Sequence, residues 1–165
     1  MTDSRESLAK AQISFTVNGE RRIVRAYPME RLLDVLRQQF GLTGAKEGCG
    51  EGECGSCSVL MDDILVNSCL VPVLQAEGSN VTTIEGLAAG ETLHVLQDAF
   101  LQCGGAQCGV CTPGMILAAF HLLHSNPEPA REEIQEALAG NLCRCTGYSQ
   151  IVEAVAQAAR HRAIQ

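Results

Sequence analysis

The spacing of apolar residues changes along the chain, and each change marks a new kind of element. Ile13, Phe15 and Val17 alternate with polar residues and run into Asn18-Gly19. That dipeptide supplies the two positive φ values of a type I′ turn, which predicts a hairpin whose return strand covers Arg21–Ala26. From Glu30 the period lengthens. Leu32, Leu33, Leu36 and Phe40 fall on one face of a helix that stops at Gly41. A glycine-dense loop from Gly44 to Ser56 follows, then short strands at Ser58–Met61 and Ile64–Val66 joined by Asp62-Asp63, and a further strand at Val81–Ile84. Hairpin, helix and more short strands predict a small α+β unit with one helix on a mixed sheet.

Past Gly86 the strand signals end. Helical periods appear at Leu93–Leu101, Pro113–His124, Arg131–Leu138 and Gln150–His161. Thr112 is placed to cap the helix that Pro113 opens, Ser149 to cap the last, and Gly140 to stop the third. The boundary between the two halves falls near Leu87–Gly90. It divides the chain into a polar tail (1–11), a strand-rich part (12–87) and a helical part (88–165). Each half of the helical part repeats one pattern, helix, two-cysteine loop, helix, first around Cys108 and Cys111 and then around Cys143 and Cys145. Such an arrangement would bring two cysteine pairs to a shared site near helix N-termini, where free N–H groups favour an anionic centre.

Composition narrows the chemistry. The 165 residues carry 12 Lys and Arg against 19 Asp and Glu, a formal charge of −7. This balance offers no footprint for nucleic acid or anionic lipid. An apolar fraction of 46% supports a packed core, and no apolar run approaches the length of a membrane span. Nine cysteines are the outlier. The opening MTDSRESLAKAQ is not a secretory leader, so the expected compartment is the cytoplasm. There, closely spaced cysteines point to metal or redox chemistry rather than a disulfide framework.

The cysteines sort into two groups. Cys49, Cys54 and Cys57, in CGEGECGSC, with Cys69 further on, have the C-x4-C-x2-C…C spacing of a plant-type 2Fe–2S loop. The interleaved glycines let the backbone wrap a bulky anionic cluster and aim N–H groups at sulfur. Structural zinc, which usually takes paired C-x2-C knuckles, explains this loop poorly. Gly50, Gly52 and Gly55 also satisfy G-x-G-x-x-G, but here a helix precedes and a strand follows, the reverse of a dinucleotide site. The second group is Cys108 and Cys111 in QCGVC, with Cys143 and Cys145 in NLCRC about thirty residues later. Spacing alone leaves zinc and iron–sulfur both open for these four thiols. Cys103 stands outside both groups and reads as a small, buried side chain near a helix end. His121 and His124 share a helix face without a third ligand and are given no role.

Taken together, GCGEGECGSCSV, QCGVCTPGMI and GNLCRCTGY resemble the iron–sulfur subunit of the molybdenum hydroxylases, in the same order and over nearly the whole chain past the tail. The resemblance implies a ferredoxin-like β-grasp domain followed by an all-α four-helix bundle. It implies that Cys49, Cys54, Cys57 and Cys69 ligate one 2Fe–2S cluster, and that Cys108, Cys111, Cys143 and Cys145 ligate a second, better buried one. Gln107 matches the glutamine that contacts molybdopterin on a separate large subunit, and Cys145 is a second candidate contact. It implies an electron-transfer subunit relaying electrons between that molybdopterin centre and the FAD of a medium subunit, in a dimer of heterotrimers. The chain is too short to hold the molybdopterin and flavin domains itself, and no catalytic residue is expected in it. The rival readings are a free-standing two-cluster ferredoxin and a zinc-stabilised interaction module.

Overall fold

The computed structural model describes residues 9–162. Most of the tail reading (1–11) lies outside them, although Ala11 already belongs to the first strand. β1 (Ala11–Val17) and β2 (Glu20–Ala26) form the expected antiparallel hairpin, in register from Ala11↔Ala26 to Val17↔Glu20. Asn18 and Gly19 close it with φ of 51° and 81°, as a type I′ turn requires. β3 (Ser58–Met61) and β4 (Ile64–Asn67) make a second hairpin whose turn, Asp62-Asp63, also has two positive φ values. β5 (Asn80–Thr82) joins the two, parallel to β1 and antiparallel to β3, giving the order β2-β1-β5-β3-β4. β5 ends before Ile84, which instead enters a short 3-10 turn at Ile84–Gly86. The cause is Asn18, whose side chain takes the Thr83 N–H at 2.8 Å and donates to the Thr83 hydroxyl at 2.9 Å.

The helix expected from Glu30 is shorter than its apolar period suggests. α1 (Leu32–Asp34) is a single turn that widens into a π turn at Val35–Gln39, with the Phe40 N–H reaching back to Val35 O. The widening turns Phe40 onto Phe15, ring centroids 5.8 Å apart. Leu32, Leu33, Val35 and Leu36 are fully buried against Ile13, Phe15, Val24, Val59 and Val81 on the sheet. The first free N–H groups of α1 are not left to solvent: Leu33 donates to Ser68 O and Leu32 to Val71 O. These two bonds bracket Cys69 and fix it beneath the helix.

α2 (Val95–Gln102), α3 (Thr112–Ser125), α4 (Arg131–Leu138) and α5 (Ser149–Arg162) each lie within two residues of the sequence expectation, and all four share a second core. α3 is its centre. Met115 through Ala119 are all buried, because the helix packs on its neighbours on one side and on β3 and β4 on the other. That explains an apolar character all round rather than on one stripe. Thr112 is not the cap of α3. Cys111 takes that position, and the Thr112 hydroxyl is the one buried side-chain polar atom without a partner among the described residues. α4 ends at Leu138, two residues ahead of Gly140. The chain is therefore α+β: a mixed five-stranded sheet with α1, and a helical layer against the β3–β4 hairpin. Among the described residues, no helix is long and apolar enough to cross a membrane.

Gly114 lets α3 press on the sheet side. A Cβ there would collide with Gly55 O and come within 2.8 Å of Asn141 Nδ2. In an unconstrained helix, Gly→Ala gains about 1 kcal/mol. Here the sign should reverse, with Gly114→Ala destabilising by about 1–3 kcal/mol through overpacking. The measurement is the denaturant midpoint at constant m-value; a rise in midpoint would contradict this packing.

Candidate metal centres

The first centre is built from a loop and the open end of a hairpin. Cys57 stands just before β3 and Cys69 just after β4. The Ser58↔Asn67 register brings their backbones together, and Ser68 donates to Cys57 O through both its amide (3.3 Å) and its hydroxyl (2.7 Å). Both cysteines are buried. Cys49 and Cys54 come from the glycine loop and lie further out, exposed and half-buried. The loop curls so that its amides aim at sulfur. Cys49 Sγ accepts from Glu51 N–H at 3.3 Å and Glu53 N–H at 3.4 Å, while Cys54 Sγ accepts from Cys49 N–H at 3.3 Å. Gly52 makes the curl possible. Its φ is +79°, and a Cβ would overlap the Leu70 side chain. Arg31 holds the loop's base, donating to Asp34 at 2.7 Å and to Glu47 at 2.8 Å.

The second centre joins two loops far apart in sequence. Cys111 caps α3 and is buried, Cys143 is half-buried, and Cys108 and Cys145 are exposed. Thiol faces thiol in two pairs, Cys111 with Cys143 and Cys108 with Cys145. The first centre shows the same pairing, Cys49 with Cys54 and Cys57 with Cys69. Among the described residues, no three His, Cys, Asp or Glu side chains converge on one point as a single ion would need. Each centre instead presents its four thiols as two facing pairs. The second centre is not the well-buried site expected from a surrounding bundle. Cys111 belongs to the helical core and Cys143 packs against it, whereas Cys108 and Cys145 stand outside it and reach solvent.

The electrostatics are set thiol by thiol, by burial on one side and hydrogen bonds on the other. Three backbone N–H bonds, from Glu51, Cys54 and Glu53, lower the Cys49 thiol to about 7. Burial, reinforced by the Cys57 thiol, pushes Cys69 up to about 11. Burial, with Cys143 beside it, pushes Cys111 up to about 12. For Cys143 burial also acts upward, but hydrogen bonds from Thr146, Cys145 and Cys111 outweigh it and leave the thiol lowered. Contact with the Cys108 thiol raises Cys145. Burial therefore holds Cys69 and Cys111 in the thiol form at neutral pH unless a neighbouring cation offsets it.

Several supports were not legible in the cysteine spacing. Thr146 Oγ1 lies 3.2 Å from Cys143 Sγ. The Tyr148 hydroxyl accepts from Cys143 N–H at 2.9 Å and donates to Asn141 O at 3.2 Å, clasping the second loop. Their signal was the polar frame of GNLCRCTGY around its two cysteines. Cys103 lies apart from both centres, half-buried at the end of α2, where its thiol donates to Gln157 Oε1 at 3.0 Å. His124 stacks on Phe120. Gln107 is exposed beside exposed Cys108, on a rim that also carries exposed Val110, Leu142 and Arg144.

Two family models cover most of the chain: a 2Fe-2S iron-sulfur cluster binding domain over residues 15–83 and a 2Fe-2S binding domain over residues 83–156. The nicotinate dehydrogenase small FeS subunit of Eubacterium barkeri is 51% identical over 146 residues, 88% of this chain and 93% of its own. The nicotine 6-hydroxylase small subunit of Paenarthrobacter nicotinovorans is 48% identical over 149 residues, 90% of this chain and 90% of its own. Among solved structures, quinoline 2-oxidoreductase from Pseudomonas putida 86 superposes with a TM-score of 0.88 at 47% identity. That match covers 93% of this chain and 98% of the other.

The thiol order gives a labelling test on the folded, cluster-free chain. Cys49 has its ordinary pKa lowered, so it is substantially thiolate at neutral pH and loses that form as pH falls through about 7. Iodoacetamide at pH 7 should modify Cys49 well before Cys69 and Cys111, as read by peptide mass spectrometry. Equal rates for the three would contradict the hydrogen bonding described for the loop.

Proposed function

The chain belongs to the 2Fe–2S subunit family of the molybdenum hydroxylases, and from that premise we propose how its two cysteine centres serve an electron-transfer subunit. Cys49, Cys54, Cys57 and Cys69 would hold the first cluster through their two facing pairs, and Cys108 with Cys145 and Cys111 with Cys143 would hold the second. The observation that carries this reading is the gathering of eight of the nine cysteines into two sets of facing thiol pairs, with backbone amides aimed at their sulfurs. The residues present fit such a group. They supply four sulfur donors per centre, a glycine loop that a Cβ would obstruct, and a buried Thr112 hydroxyl without a partner beside Cys111.

When bound, each 2Fe–2S centre carries one electron at a time, so two centres relay a pair singly. The protein's part is placement and tuning. The N–H groups of Glu51, Glu53 and Cys49 stabilise negative charge on the outer sulfurs of the first loop, while burial of Cys57, Cys69 and Cys111 keeps water from the inner ones. The chain is the non-catalytic component of an oxidoreductase, as its relatives are FeS or small subunits of such enzymes.

The partners in this reading are a large subunit with molybdopterin and a medium subunit with FAD, assembled as a dimer of heterotrimers in the cytoplasm. Gln107 meets the molybdopterin, because its amide both donates and accepts at the polar edge of a pterin. Cys145, exposed on the same rim, is a second candidate contact. Docking there would cover the exposed outer pair of the second centre. In this reading the strand-rich part from residue 12 to 87 is the ferredoxin-like β-grasp domain and α2–α5 are the four-helix bundle.

Produced with cluster assembly intact, the chain should be red-brown and hold about four irons in two spectroscopically distinct centres. Cys108→Ser or Cys143→Ser should remove one centre's signal and lower the stability of the helical part, since cluster binding is coupled to folding. Cys103→Ala should leave iron content unchanged. Loss of iron in Cys103→Ala, or a colourless zinc-loaded chain, would overturn the assignment. In the assembled complex, Gln107→Ala should keep both centres but slow reduction of the second by substrate. Unchanged kinetics there would take Gln107 off the path.

A further inference from the structure

The two cysteine loops touch through one side chain. Asn141, 2% exposed, directs its Nδ2 across the boundary to Gly55 O at 2.8 Å and to Ser58 Oγ at 3.3 Å. Gly55 lies between Cys54 and Cys57 in the first loop, and Ser58 directly follows Cys57. On the other side, Asn141 is two residues from Cys143. The next residue adds a backbone bond in the same direction, Leu142 N–H to Cys54 O at 2.9 Å. Tyr148 then clasps Asn141 O and Cys143 N–H with one hydroxyl, so the second loop is rigid from Asn141 to Cys143. The fit tolerates nothing larger on the facing side. Gly55 has a φ of +67°, and a Cβ there would stand 2.5 Å from both Asn141 Nδ2 and Gly140 O.

A buried amide serving only its own loop would bond within that loop. Asn141 instead spends its N–H groups on acceptors 86 and 83 residues away in sequence. We infer that Asn141 is a positioning residue that locks the two cysteine loops in register and thereby sets the separation and orientation of the two clusters. The inference rests on the reading of these loops as cluster sites. Its physical basis is direction: apolar packing alone allows two surfaces to slide, whereas a donor locked onto a carbonyl and a hydroxyl fixes one relative placement. Inter-cluster electron transfer depends on that placement, and neither centre's own ligand set includes Asn141.

The test uses the assembled complex with Asn141→Ala, which removes the donor, and Asn141→Asp, which keeps the volume but faces Gly55 O with a carboxylate oxygen. Iron analysis comes first, then low-temperature paramagnetic resonance of the dithionite-reduced protein, where two nearby reduced centres split each other's signals. Dipolar splitting falls with the cube of their separation and varies with their mutual orientation. The expected result in at least one variant is a full iron complement, both signals present, the splitting lost or reduced, and faster amide exchange in the 54–58 and 141–145 peptides. Unchanged splitting at full iron content overturns the inference. Loss of iron in both variants also overturns it, by making Asn141 a local support of the cysteine loops. An unsubstituted complex lacking two distinct centres would instead fail the underlying cluster reading, which separates the two failures.

Discussion

One short stretch of contact decides how the two halves of this chain relate. Cys54 O, Gly55 O and Ser58 Oγ on one side meet Leu142 N–H and the Asn141 amide on the other, all within 3.3 Å. The surrounding packing supports the junction. Gly114 brings α3 down on Gly55, and Leu65 of β4 packs into the helical core. Removing a buried partner of such bonds costs the desolvation of the group left behind, about 1–3 kcal/mol each. The junction therefore resists sliding more than two apolar faces of similar size would. Both cysteine loops depart from it within two residues, so their geometry is inherited from it.

The first cysteine centre is shaped by a hairpin and a helix acting together. The β3–β4 register places Cys57 and Cys69 at the open end of the strands, and the amides of Leu32 and Leu33 pin the Cys69 segment from above. Those amides are free because they open α1, where the first N–H groups of any helix have no earlier carbonyls to bond. The fold thus turns a helix end that would otherwise need capping into a clamp on a cysteine. The glycine loop supplies the other half, with backbone amides rather than charged side chains stabilising sulfur. Amides carry no titrating charge, so this stabilisation holds across pH.

Much of the fold was readable from local pattern. Period-two alternation with Asn18-Gly19 gave the first hairpin, and longer apolar periods gave α2 to α5 within two residues of their ends. Local pattern failed where a distant residue overrides it. β5 stops short because Asn18 captures Thr83, and the helix after Glu30 widens at Val35 to seat Phe40 against Phe15. The cysteine motifs made the two groups visible. Which thiols of the second centre face each other and the reach of Asn141 to Gly55 and Ser58 were not visible, because each depends on loops meeting across more than thirty residues of sequence. Thr112 shows the same limit on a small scale. Its position before Pro113 suggested a cap, but Cys111 occupies that place and leaves the hydroxyl buried.

The division of each centre into an inner and an outer thiol pair carries a consequence for timing. Cys108 and Cys145 stand open to solvent, whereas Cys111 lies behind them, buried at the cap of α3. The outer pair is therefore the side of this centre that solvent reaches. Gln107, on the same rim, is where the large subunit docks in the proposed assembly. Once that subunit is seated, the entrance is closed. In that assembly the same exposed rim would have to admit the second centre's cofactor before docking and form a contact surface after it.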